Sequence, residues 1–488
     1  MTETLRVAII HYHLHPGGVT RIIENSVAAL SEKGIQTTVL TGALPHEAYT
    51  RLPNTQLVKE LAYGTAGDLS DEDLVERLLE AAKKGLGAEP DIWHFHNHSL
   101  GKNAVIPRLV QVMARRGLRL LLHIHDFAED GRPANYQFLV QHIGGGNTKK
   151  LGERLYPAAE HVHYAVLNGR DLRFLTESGL PKGRLHYLPN PVQMDLPDES
   201  VLGAISQRMF IYPTRGIRRK NIGEFILWSA LAGEGDNFAV TRAPRNPIFK
   251  PVYKRWIEFA KSLRLPVEFD VAGKGRVTFN DLIRRAFAFV TTSVAEGFGL
   301  GFLEPWFVGK PLVGRKLPEI TSDFEDNGIN LGGMYDFLGV PVDWVGREAL
   351  RSRITSELDK YLIQYGRNTK PEYAERALSS MVINDRVDFG RLDEEFQEVV
   401  IRKVSGSSSA RREIGPALLE SGFFSQSVVE SNQEIVRCAF SLDNYGDRLE
   451  RIYQDIMSSS TGDVSGISAE ALLERFLAPE RFCLLRTT

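Results

Sequence analysis

The sequence predicts an α/β protein built from two similarly organised halves. Three observations carry that reading. Short apolar runs alternate with amphipathic helical patterns, which implies parallel sheets with helices on both faces. A second alternating run opens at Arg208, after the polar, proline-containing stretch Gln193–Ser200. Unusual polar clusters also fall at or near expected strand ends, where sheets of this kind bind ligands.

In the first half, the apolar run from Leu5 to Ile10 leads into His11-Tyr12-His13-Leu14-His15-Pro16-Gly17-Gly18. Val19, Ile22, Ile23, Val27 and Leu30 then mark one face of a helix that Gly34 can end, and Thr37 to Leu40 follows as a strand. Further strands are expected near residues 91–95, 119–124, 163–167 and 185–188, with charged helices at 71–84 and 108–116. Polar clusters sit beside them: His94-Phe95-His96-Asn97-His98 and His123-Ile124-His125-Asp126. The second half places a strand at 208–212, the basic turn Arg215 to Asn221, and a helix from Ile222 to about Leu231. Residues 244–251 read as a loop, 253–263 as a helix, 266–272 as a strand before Gly273-Lys274-Gly275, and 282–285 as a short helix. From Val345 the pattern becomes helical and highly charged. An amphipathic helix follows at 445–457 and a last one at 469–476.

With 488 residues, the chain has room for two core-forming domains. Its 43% hydrophobic and 25% charged residues are those of an ordinary soluble protein. Lys+Arg 59 against Asp+Glu 61 leaves no bias towards nucleic acid. Two cysteines, Cys438 and Cys483, argue against a disulfide scaffold or a thiolate metal site and fit a reducing compartment. No signal-like N-terminus or apolar run of roughly 20 residues is seen. The expectation is a cytoplasmic protein with no integral membrane segment.

Chemistry concentrates around residue 300. An apolar strand, Ala286 to Val290, enters a turn with Glu296, Gly297, Gly299, Gly301 and Glu304, and a helical pattern follows through Leu303, Trp306 and Phe307. Glycines let a backbone approach a ligand, and N–H groups at a helix start favour anionic oxygens. The flanking carboxylates suit hydroxyls, so a ligand carrying both phosphate and sugar fits the turn. Arg215 and Lys220 could clamp a diphosphate at a strand end, although a basic turn is also an ordinary solvated feature. The H-x-H clusters admit three roles: a metal-dependent hydrolase site, substrate contact, or local hydrogen bonding.

In order, a strand–Gly-Gly–helix, His125-Asp126 after a later strand, Arg215-x4-Lys220 and Glu296-x7-Glu304 followed by Gly309-Lys310-Pro311 resemble the family-4 retaining glycosyltransferases. The likeness runs through most of residues 5–335 and reappears at Ser441–Met457. It implies a GT-B fold: two Rossmann-like domains facing across a cleft, with a helical C-terminal elaboration. The expected domains are residues 1–200, 201–440 (with a helical insertion from about 345) and 441–488. It also implies that Arg215 and Lys220 hold the diphosphate of a nucleotide-sugar donor, Glu296 the sugar hydroxyls and Glu304 the ribose. N–H groups at Gly299, Leu300 and Gly301 would face sugar and phosphate. Gly17 and Gly18 would approach the diphosphate, and His125 the transferred sugar. No metal or other cofactor is expected, and the acceptor would be a small hydrophilic molecule. A disaccharide phosphorylase on the same fold and a non-catalytic sensor are the alternatives beside the hydrolase. The stretch between Val345 and Ser441, including Asp385-Arg386-Val387-Asp388-Phe389, departs from the family pattern; it could shape an acceptor pocket, support oligomerisation or brace the domain.

Overall fold

Strand β1 (Arg6–His11) buries its last five residues, as a strand covered on both faces must. It is an inner strand of a seven-stranded sheet in a computed structural model of the chain, which describes residues 4–44, 52–64, 69–194, 208–273, 278–414 and 425–487. Part of the expected linker at 193–200, together with Lys274 and Gly275, lies outside those residues. The chain divides into two units. The first comprises Met1–Pro191, Gln364–Gly366 and Phe440–Leu477; the second comprises Val192–Ile363, Arg367–Ala439 and Ala478–Thr488.

In the first unit, β2 (Gln36–Thr41), β3 (Thr55–Leu57), β4 (Ile92–His96), β5 (Leu120–Ile124), β7 (Val162–Val166) and β8 (Leu185–Tyr187) join β1. Their order is β3-β2-β1-β4-β5-β7-β8, with every pairing parallel. A short β6 (Pro157–Ala158) lies outside this sheet. Strand order reverses between β1 and β4, which opens a ligand crevice beyond their C-terminal ends. The helices Gly18–Glu32 and Leu442–Ser458 share a core with β1: Ile22, Ile23, Val27 and Leu30 meet Leu449, Ile452 and Ile456. Ser26 is satisfied inside that interface by the Tyr445 hydroxyl at 2.8 Å. The C-terminal helix is thus part of the first unit.

In the second unit, β9 (Arg208–Arg215), β10 (Asp236–Arg242), β11 (Val267–Phe269), β12 (Ala286–Thr291) and β13 (Leu312–Gly314) form a parallel sheet ordered β11-β10-β9-β12-β13. Here the reversal lies between β9 and β12. Strand β10 escapes the sequence pattern because its apolar centre is only Phe238–Val240, flanked by Asp236, Asn237 and Arg242. Strand β11 is shorter than expected. Asp270 turns into the left-handed region at φ 58°, and its carboxylate accepts the Ala243 N–H at 2.9 Å. The helix expected at 253–263 starts already at Lys250, with Pro251 in its first turn, where its missing N–H does no harm.

From Gly339 onward the chain is largely helical but also contains short strands. β14 (Gly339–Pro341), β15 (Val382–Ile383) and β16 (Arg386–Asp388) form a small antiparallel sheet, and β17 (Ser465–Gly466) pairs with β6. Asp388 has a definite task. With Glu224 it clamps the buried Arg315: the guanidinium donates to Glu224 at 2.9 Å and to Asp388 at 2.7 and 2.9 Å. Tyr335 donates a further bond to Glu224 at 2.9 Å, and Trp228 one to Tyr335 at 2.8 Å. The stretch around Asp388 therefore braces the second unit. Removing one member of a buried ionic group typically costs about 3–5 kcal/mol, because the remaining charges lose their compensation. Arg315→Ala should lower the stability of the second unit by that order in urea denaturation. Arg315→Lys should restore little, since an ammonium cannot fork between two carboxylates.

Candidate functional site

The reversal between β9 and β12 brings two loops together. Strand β9 ends at Arg215, and Gly216 follows directly under Tyr253, where an added Cβ would lie 2.1 Å from the ring. A single 3₁₀ turn, Arg218–Lys220, leads to Asn221 at φ 50°. Asn221 caps the helix Ile222–Ala230 by accepting the Glu224 N–H at 3.3 Å. The loop after β12 grips this turn. The Thr292 hydroxyl lies 3.1 Å from the Lys220 carbonyl and 2.9 Å from that of Asn221, and the Val294 N–H donates to Arg219 at 2.9 Å. Tyr212 donates to the Lys220 carbonyl at 3.0 Å.

That geometry joins Lys220 to Glu296 in a close ion pair, with side chains 20% and 12% exposed. Burial pushes the Glu296 carboxyl up, but the charges of Lys220 and Arg219 outweigh it and leave it below the usual carboxylate range. Glu296 is therefore ionised at neutral pH, an acceptor for hydroxyls rather than an acid. Arg215 lies opposite Arg242 across the β9–β10 register, and burial and repulsion from Arg245 and Arg242 press it below its ordinary value. Among the described residues these three arginines have no carboxylate partner, so the edge is strongly attractive to anions. Arg242 and Arg245 were not among the sequence candidates. The signal was there, since Arg242 ends β10 as Arg215 ends β9, but the strand itself went unread.

Beyond Glu296, Gly299 adopts φ 94°, and a Cβ there would stand 2.8 Å from the Phe302 ring. Leu300–Phe302 forms a single 3₁₀ turn, and Glu304 opens a helix that lasts only to Phe307. With 4 residues the helix ends at Phe307, where its pattern ended. Its dipole is correspondingly small, so the local N–H groups of Leu300 and Gly301 matter more than the helix end. A Cβ on Gly301 would meet nothing within 4 Å, which leaves its surroundings open to a ligand.

In the first unit, Gly17 is extended at φ −172° and caps the helix that Gly18 begins. A Cβ on Gly18 would meet nothing within 4 Å. His125 follows β5. Its N–H donates to Asn97 at 2.8 Å, and its Nε2 lies 2.8 Å from His96 Nδ1. Burial lowers its pKa to about 4, so the ring is neutral at physiological pH. Strand β4 runs one residue past its expected end to include His96, and His94, His96 and His123 are fully buried within strands.

Beyond these paired parallel sheets, solved structures show the same architecture, that of the GT-B glycosyltransferases. The Anabaena protein HepE in complex with UDP matches with TM-score 0.53 at 12% identity, covering 92% of this chain and 100% of that one. A glycosyltransferase from Rickettsia africae ESF-5 matches with TM-score 0.52 at 12% identity, covering 94% and 100%. Residues 16–196 match the profile of Glycosyltransferase Family 4. Over 512 aligned residues the chain is 24% identical to mannosylglucosyl-3-phosphoglycerate synthase of Petrotoga mobilis (strain DSM 10674 / SJ95), spanning 98% of each. The chain is a glycosyltransferase related to family 4 and has the GT-B fold. Among the described residues, no helix is long and apolar enough to cross a membrane.

Glu129, four residues beyond His125, was also missed by the sequence reading. It is fully buried and accepts a bond from the Tyr156 hydroxyl at 3.0 Å, while its second oxygen has no partner. Burial raises its pKa from 4.5 to about 7. A carboxyl with a raised folded pKa favours the fold when protonated, and that advantage disappears as pH rises from about 4.5 to about 7. Between pH 5 and 8 the first unit should lose on the order of 2–3 kcal/mol more stability than a Glu129→Gln variant, measured by denaturation at each pH.

Proposed function

We propose that this glycosyltransferase moves a hexose, with retention of configuration, from a nucleotide-diphosphate sugar to a small hydroxylated acceptor that carries a phosphate or carboxylate. The observation that carries the reading is the Lys220–Glu296 pair at the switch point of the second sheet, one residue type for phosphate beside one for hydroxyls. Breaking the bond to a diphosphate builds positive charge on the sugar and negative charge on the leaving group. Arg215 and Lys220 receive the negative charge, aided by the N–H groups of Leu300 and Gly301. Each such fixed donor is typically worth about 2.7–4 kcal/mol of barrier. When a donor enters, Glu296 keeps its charge and turns its lone pairs to sugar hydroxyls, and Glu304 takes the ribose. In the first unit, Gly17 and Gly18 are assigned to the diphosphate and the neutral His125 to the transferred sugar.

Retention is read as attack on the face the leaving phosphate vacates, that phosphate taking the acceptor's proton. Cations of the protein replace a divalent metal at the diphosphate. The nucleotide assignment is supported by UDP in the HepE complex. The acceptor class is supported by two independent features: the Petrotoga relative is named for a product with a phosphoglycerate group, and Arg242 and Arg245 add positive charge beside Arg215. That relative's product also carries a mannosyl group, which favours a hexose donor.

Turnover should be measured with UDP-, GDP- and ADP-hexoses and phosphoglycerate-type acceptors, without added magnesium or manganese. Lys220→Ala should reduce kcat by roughly 10²–10³. Near-normal turnover in that variant, or an inverted anomeric configuration by NMR, would overturn the mechanism.

A further inference from the structure

One face of the first unit's sheet carries histidine where a doubly covered parallel sheet ordinarily carries Val, Ile or Leu. The register pairs His94 with Ile9 and His96 with His123, so His11, His94, His96 and His123 project to the same side. A buried imidazole is costly unless its nitrogens are satisfied. Two hydrogen-bonded chains satisfy most of them. Tyr453 Oη lies 2.9 Å from His94 Nδ1, and His94 Nε2 lies 3.3 Å from His123 Nδ1. Separately, His96 Nδ1 lies 2.8 Å from His125 Nε2. Two nitrogens remain buried with no partner: His96 Nε2 and His123 Nε2.

Proton counting allows both to be acceptors. A neutral imidazole has one N–H and one lone pair. If His123 donates through Nδ1 to His94, His94 through Nδ1 to Tyr453, and His96 through Nδ1 to His125, every bond is satisfied. Both orphan Nε2 atoms then carry lone pairs. Ring nitrogens of His94, His96 and His123 lie within 4.8 Å of one another. We propose that His94, His96 and His123 form a binding site for a transition-metal dication, zinc foremost, that clasps β4 to β5.

The ligand type and its surroundings agree. Three imidazoles without carboxylates select zinc, cobalt, nickel or copper over magnesium or calcium. His96 has its other ring nitrogen held by His125 Nε2, the outer arrangement that metal-bound imidazoles keep. His94 is anchored through Nδ1 by Tyr453 and can offer Nε2 by yielding its long contact with His123. Zinc–nitrogen bonds of 2.0–2.1 Å set ligand atoms about 3.3 Å apart, so the rings must draw together by at most roughly 1.5 Å. The ion would take no part in glycosyl transfer, and the site stands whether or not the proposed donor chemistry does.

The full chain, stripped with chelator and dialysed, should be titrated with zinc chloride and, separately, cobalt chloride and magnesium chloride. The expected result is one zinc per chain, a melting temperature raised by zinc but not by magnesium, and intense visible cobalt bands of a four-coordinate site. His96→Asn and His123→Asn should each lose the bands and the thermal shift, whereas the exposed-loop variant His13→Ala/His15→Ala should keep them. Should the buried variants fail to fold, hyperfine coupling of the wild-type copper-loaded protein to imidazole nitrogens, retained in the His13→Ala/His15→Ala variant, decides the matter. No stoichiometric zinc, or binding lost only in the loop variant, would overturn the proposal.

Discussion

The Thr292 hydroxyl, placed against the carbonyls of Lys220 and Asn221, makes one rigid piece of two loops that arise from neighbouring strands. Everything at this strand edge depends on that join. It fixes the backbone on either side of Lys220, and the left-handed Asn221 then sends the chain straight into a helix. That helix brings Glu224 beneath the site, where it meets Arg315 and, through it, Asp388. A polar lattice thus supports the Lys220–Glu296 pair from below. Such networks are costly when incomplete and rigid when every member is paired. The C-terminal segment that looks like an elaboration supplies one of its essential carboxylates.

The first unit relies on a different constraint. Its sheet buries histidines, and the helix Leu442–Ser458 answers them with Tyr453 while Tyr445 answers Ser26. The helix is held by its apolar stripe, but the polar contacts fix its rotation. Sequence distance is no guide here: His94 and Tyr453 are joined at 2.9 Å across most of the chain.

Much of this was legible in the sequence. Apolar runs with helical patterns between them located β1, β2, β4, β5, β7, β9 and β12, because burial on both faces leaves few polar residues in a parallel strand. Arg215, Lys220, Glu296 and the glycines stood out because their turns follow strands. What was hidden involved partners far apart in sequence. Nothing local announces that Asp388 binds Arg315, or that Arg242 will stand beside Arg215. The helix after Gly301 is short for a local reason. Glu304 and Pro305 start a new turn, and the chain leaves it at Val308 and Gly309, the latter at φ 68°. The histidine clusters were visible as sequence, yet only strand register shows that they stack on one face.

On the proposed reading, Lys220 and Glu296 serve a nucleotide-sugar and not merely each other. Isothermal titration of UDP-, GDP- and ADP-hexoses into the wild type, Lys220→Ala, Glu296→Gln and the double variant tests it most directly. Each single variant should weaken donor binding tenfold or more, equivalent to about 1.4 kcal/mol, while the melting temperature moves little. Wild-type donor affinity in both single variants, with stability lost instead, would reduce the pair to a structural contact and contradict the claim.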